Sequence, residues 1–144
     1  MNDDFNYKQV PRNYIHCLNA QCPRSADCLH FLVTRHVDKE TQYFSVVNPA
    51  YVAEQKECPY FQPDRLICFA IGITHLFDNL PHTKAVKIKK TMYSYFGRNA
   101  YYRTLHKQRL IKPEEQDFIR QTFVKEGVAE QPTFDEYIDQ YVWF

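Results

Sequence analysis

A chain of 144 residues with 44% apolar side chains is long enough to bury one core. Eleven Tyr and eleven Phe against only three Gly exclude a disordered chain and a Gly-rich phosphate cradle. The net charge of +1 hides a polarised layout: residues 1–78 carry seven basic and nine acidic side chains, 79–113 nine basic and none acidic, and 114–144 two basic and eight acidic.

The first ten residues, MNDDFNYKQV, are polar and acidic and lack the parts of a secretory signal. The longest apolar stretch, residues 66–77 (LICFAIGITHLF), is too short to span a bilayer. The expected location is the cytoplasm. Clustered thiols there are more often metal ligands or reactive groups than disulfides.

Pro23 and Ser25 precede a helical pattern that sets Cys28, Leu29, Leu32 and Val33 on one side. Residues 41–48 (TQYFSVVN) are β-branched and aromatic and predict a short strand. Residues 66–77 are apolar all round and predict a buried helix. Thr83 is placed to cap the next helix, in which Ala85, Ile88, Met92 and Phe96 recur at helical spacing and Gly97 is the stop. Asn99 is placed to cap a second helix, with Tyr101 and Leu105 inward. Pro113, Glu114 and Glu115 open a third, whose inner stripe is Phe118, Ile119, Thr122 and Phe123. Thr133 and Glu136 suggest a capping box for a last helix bearing Phe134, Tyr137, Ile138 and Tyr141. The expected fold is mainly α: one small domain with a cysteine-rich metal-binding segment (1–65, minor β) and a helical half (66–144), forming one compact unit.

Four cysteines carry the first chemical signal: Cys17-x4-Cys22-x5-Cys28-x29-Cys58. Four thiolates suit either structural zinc or an iron–sulfur cluster. Zinc at ~2.3 Å from each sulfur holds its sulfurs ~3.8 Å apart, which favours a tight Cys-x-x-Cys turn. This chain has none, and its longer spacers suit a cluster better. Zinc is the commoner occupant of small intracellular four-cysteine sites, so both cofactors stay open. His16, His30 and His36 are candidates to replace one thiol. Buried packing without metal is the bland alternative, and Cys68, in an apolar run, is assigned to it. A nucleophilic cysteine would need an activating base and no three companions.

The second signal is KIKKTMYSYFGRNAYYRTLHKQR, a basic helix, a Gly turn and another helix. At the leading end of the second helix stand Arg98, Asn99, Tyr102 and Arg103. Arg and Asn are the common readers of guanine and adenine. Lys87, Lys90, Lys107 and Arg109 are assigned to phosphates. The expected partner is DNA. The alternative is an acidic protein partner, in a protein-interaction module with structural zinc. A solvated basic face is the bland reading.

Two resemblances add to these readings. VPRNYIHCLNAQCPRSADCLHFL, CPYF, FDNLP, YFGRNAYYR and PEEQDFIRQTF resemble an uncharacterised family of small four-cysteine proteins from Bacteroides-type anaerobes. That resemblance covers nearly the whole chain and implies no activity; an anaerobic setting would favour a cluster. YFGRNAYYRTLHKQRLIKPEEQDFIRQTF is similar to the helix-turn-helix of phage-repressor-like regulators and implies DNA binding. It departs from them in lacking Gly after the second helix and in placing Arg98-Asn99 in the turn. If the metal is a cluster, its oxidation state would bias the basic helices and make the protein a redox-responsive regulator. No P-loop, GxGxxG, GxSxG, HExxH or EF-hand loop occurs. Glu114-Glu115 and Asp135-Glu136 read as helix N-terminal charges, and the chain is expected not to be an enzyme.

Overall fold

The structure is a computed structural model that describes Met1 and residues 5–143. The chain divides into two compact units. One is Met1–Leu66 with the C-terminal stretch from Tyr141; the other is Ile67–Gln140.

The first unit is built on short elements. Strand β1 (Ile15–His16) pairs in parallel with β2 (Ser45–Val46). Helix α1 (Leu29–Thr34) buries Leu29 and Val33, four positions apart and therefore on one face. They pack with Tyr14 and Tyr141, and Phe5 and Trp143 close the cluster. Helix α2 (Pro49–Ala53) starts where Asn48 accepts the Ala50 N–H at 3.1 Å, with Pro at the first turn. Of the strand expected over 41–48, only Ser45–Val46 forms.

The second unit sets three helices beside a three-stranded antiparallel sheet. Strand β3 (Ile67–Ile71) lies between β4 (Leu110–Ile111) and β5 (Glu136–Gln140). The register pairs Ala70 with Ile111 on one side and with Tyr137 on the other. Helices α3 (His82–Phe96), α4 (Arg98–Leu105) and α5 (Pro113–Lys125) supply Ile88, Met92, Tyr101, Ile119 and Phe123 to the core over Ala70 and Ile73. Full burial of each aliphatic side chain is worth about 1.5–3 kcal/mol. Gln116 is buried but satisfied, its amide donating to the Cys68 and Ile111 carbonyls at 3.1 and 3.0 Å.

The mainly α expectation is corrected. The described residues are 38% helix and 13% strand, with five helices and two sheets. Two segments account for most of the difference. Residues 66–77 form not a helix but β3 followed by a turn. Ile67, Phe69 and Ile71 favour extended backbone, and Phe69 and Ala70 are buried within the strand. Gly72 then turns the chain at φ 76°. The last expected helix is β5. Phe134, Ile138 and Tyr141 mimic helical spacing, yet Tyr137 and Ile138 are 55% and 41% exposed along the strand. Glu136 pairs with Lys107 rather than closing a capping box.

The three expected basic-half helices form; the first two start differently from the expectation and the third opens at Pro113 as expected. Thr83 lies inside the first turn of α3, whose N-cap is Pro81. Asn99 lies inside α4, which begins directly after Gly97. At α5, the Glu115 carboxylate accepts the Lys112 N–H at 2.9 Å.

Candidate metal centre and basic helical face

Cys17 follows β1 directly. Its N–H donates to the His30 carbonyl at 2.9 Å, and its carbonyl accepts the Thr34 hydroxyl at 3.1 Å. Both bonds lay the residue along α1. Cys22 sits in a turn in which its carbonyl accepts the Ser25 N–H at 3.0 Å. Cys28 is the N-cap of α1 and is buried.

The loop after Cys58 returns to the same place. Cys28 bridges Pro63, the Leu29 N–H donates to the Gln62 carbonyl at 2.7 Å, and the Asp64 N–H donates to the Asp27 carbonyl at 3.0 Å. A turn from Cys58 to Phe61 precedes that pairing. The Arg24 guanidinium lies over the Phe61 ring, 3.1 Å from its centroid. Two loops thirty residues apart in sequence are thereby clamped together.

The consequence is electrostatic. Burial pushes the Cys17 thiol up, the Asn19 N–H directed at its sulfur opposes this, and the nearby thiols of Cys28, Cys58 and Cys22 raise it further. Cys17 thus feels all three of the other cysteines singled out by spacing. Thiolates brought together repel one another, and a bound cation would relieve that repulsion. Among the described residues, no group of three or more His, Cys, Asp or Glu side chains is placed to hold a metal ion.

The candidate histidines differ in what holds their ring nitrogens. His16 is 1% exposed; its Nδ1 bonds the Tyr14 carbonyl at 3.0 Å and its Nε2 the Tyr7 hydroxyl at 2.9 Å. Both ring nitrogens are occupied. His30 bonds the Ile15 carbonyl through Nδ1 and stacks on Tyr14, with centroids 4.7 Å apart. His36 packs edge-on against Phe5. Cys68 corrects the expectation of a core thiol: it is exposed on β3, opposite Asp139.

The basic residues separate into two groups. Lys87 and Lys90 on α3, and Arg98, Asn99, Tyr102 and Arg103 on α4, are exposed. Lys107 and Arg109 are occupied instead. Lys107 pairs with Glu136 at 2.9 Å and with Asp135 at 3.8 Å. Arg109 pairs with Glu115 at 2.6 Å and donates to the Thr104 hydroxyl at 3.2 Å. Sequence reading missed these partners because most of them lie far along the acidic segment. The joint between α3 and α4 is Gly97 alone, at φ 74°. The usual helix-turn-helix turn has about three or four residues.

The pattern of a family of unknown function, DUF6078, matches residues 1–143. The chain belongs to that family. This agrees with the resemblance to an uncharacterised family, and DUF6078 brings no activity with it. No curated protein and no solved structure matches the chain. Among the described residues of this DUF6078 chain, no helix is long and apolar enough to cross a membrane.

Proposed function

We propose that this DUF6078 protein is a cytoplasmic metal-binding protein that contacts nucleic acid through its basic helices. The reading is supported above all by the spacing of the four cysteines and by the backbone around them: Cys17 is bonded to α1, Cys28 caps that helix, and the loop that follows Cys58 pairs with Cys28. The Asn19 N–H directed at the Cys17 sulfur is the kind of outer contact that steadies a metal-bound thiolate. Zinc and an iron–sulfur cluster both remain compatible with a four-thiol donor set. Bound metal would supply a structural staple in the first case and a redox centre in the second.

The nucleic-acid half is supported by charge. The α3 and α4 segments carry six Lys and Arg side chains and no carboxylate. Among the described residues, Lys87, Lys90 and Arg98 form no ion pair, so their charge is available to phosphates. Reversing Lys87, Lys90, Arg98 and Arg103 to Glu tests this directly. Loss of low-salt binding to DNA and RNA supports the reading. Unchanged mobility of nucleic acid with wild-type protein at micromolar concentration would sink it, and loss of a co-purifying acidic protein in the variant would favour an interaction module. With a cluster in place the protein would be a redox-responsive regulator, and its affinity would differ between oxidised and reduced forms.

A further inference from the structure

Helix α3 is flanked on its exposed side by three shallow grooves. One, about 560 Å³, runs from Thr91 over Phe118 to Lys125 of α5. The next, about 490 Å³, shares Thr91 and Phe118 and adds Lys90, Ser94 and Tyr95. The third, about 540 Å³, shares Lys90 and Ser94 and reaches Val86 and Tyr93. Shared walls make them one trough. Its centre is aromatic: Tyr95 lies flat on Phe118, with centroids 3.7 Å apart and planes 12° from parallel. Tyr95 is nevertheless 50% exposed.

Charge selects the occupant. Lys89, Lys90 and Lys125 line the trough beside Arg120, and among the described residues Arg120 is the one of these cations tied to a carboxylate, Asp117. Among the described residues, no acid lines any of the three grooves. A polyanion with flat apolar groups matches such a surface better than a polyanion alone. Bases stacked on rings beside lysine-bound phosphates are the mode in which single strands are held. In a duplex those base faces are already stacked on each other.

We propose that the α3–α5 trough binds single-stranded nucleic acid, with Tyr95 as the stacking platform. The proposal rests on the nucleic-acid reading above and narrows it to unpaired strands. Val86 to Tyr95 spans about 14 Å of helix, enough for a few nucleotides.

Fluorescence anisotropy of the full chain with labelled dT12, and with a 12-base-pair duplex, tests it at low salt. The expected result is tighter binding of dT12, weakened about tenfold by Tyr95→Ala and kept by Tyr95→Phe. Lys89→Ala and Lys90→Ala should each lower the salt slope by about one, which reads the same trough without touching its rings. Duplex binding equal to or tighter than dT12, with Tyr95→Ala silent, would overturn the proposal and leave the nucleic-acid reading standing. Binding of neither probe removes both. Displacement of dT12 by a poly-Glu peptide at lower concentration than by unlabelled dT12 would make the trough a protein site and overturn it.

Discussion

The Cys17 N–H donates to the His30 carbonyl at 2.9 Å, so the first cysteine is bonded to the helix that the third cysteine caps. Cys28 in turn bridges Pro63, five residues beyond Cys58. The backbone around Cys17, Cys28 and the loop after Cys58 is therefore held by hydrogen bonds that do not involve the thiols. Changing one thiol should remove metal without collapsing the unit. Cys58→Ser is expected to lower metal content well below one equivalent, whereas Cys68→Ser, exposed on β3, leaves it unchanged. Elemental analysis of the two variants beside wild type checks this.

The Tyr7 hydroxyl and the Tyr14 carbonyl hold the two nitrogens of buried His16. With Nδ1–H donating to the carbonyl, Nε2 accepts from Tyr7. Tyr7→Phe leaves that acceptor unpaired, at a cost of about 1–3 kcal/mol. Trp143 is the single tryptophan and packs against Tyr14. Its fluorescence during urea unfolding reports the loss, seen as a lower midpoint with unchanged slope.

Gly72 turns the chain after β3 at φ 76°. A Cβ there would come 2.2 Å from an Asp135 carboxylate oxygen. Gly72→Ala carries both backbone strain and a clash, and about 2 kcal/mol or more of stability should go with it. Gly97, also at positive φ, has nothing within 4 Å of the same position. Gly97→Ala therefore loses only the backbone contribution, and thermal melts should rank it above Gly72→Ala.

Asp135 gives the second unit an acid sensitivity. Burial pushes its carboxyl up, but the Thr74 hydroxyl and N–H, with Lys107, outweigh this and hold it below the ordinary carboxylate range. A carboxyl lowered by folding contributes stability above the ordinary carboxylate value and loses it as pH falls through the lowered one. Asp135→Asn should cost about 1–3 kcal/mol at neutral pH and flatten that part of the acid-unfolding profile. Denaturant midpoints from neutral pH down to pH 3 check the sign.

Arg109 and Lys87 should behave oppositely despite equal charge. Arg109→Ala breaks a half-hidden pair with Glu115 and costs about 1–3 kcal/mol, with little direct effect on nucleic acid. Lys87 is exposed and, among the described residues, forms no ion pair, so Lys87→Ala should weaken nucleic-acid binding while leaving the melting temperature in place. Melts and anisotropy on both variants separate the two roles.

Helices α3 and α5 were legible because their stops and starts are strong: Gly97 ends one and Pro113 opens the other. Strand β3 was not, since a short apolar run fits a central strand and a buried helix alike. What decides is pairing with β4 and β5, which lie some forty and seventy residues away. For the same reason β5 reads as a helix until Ile138 is seen opposite Phe69. At the candidate sites, residue types and spacing were legible; pairing was not. Nothing near Lys107 or Arg109 in the sequence marks Glu136 or Glu115 as the partner that occupies it. Cys58 pointed to a shared site only through chemistry, and its return to Cys28 depends on the bonds at Gln62 and Pro63.

The most direct test of the metal-binding proposal is metal and sulfide content, with a visible absorption spectrum, on the full chain purified under strictly anaerobic conditions. The account predicts one four-cysteine site: either iron with acid-labile sulfide in a brown protein, or one equivalent of zinc in a colourless one, lost in Cys58→Ser. A folded protein with neither iron nor zinc, or one whose metal survives Cys58→Ser intact, would contradict it.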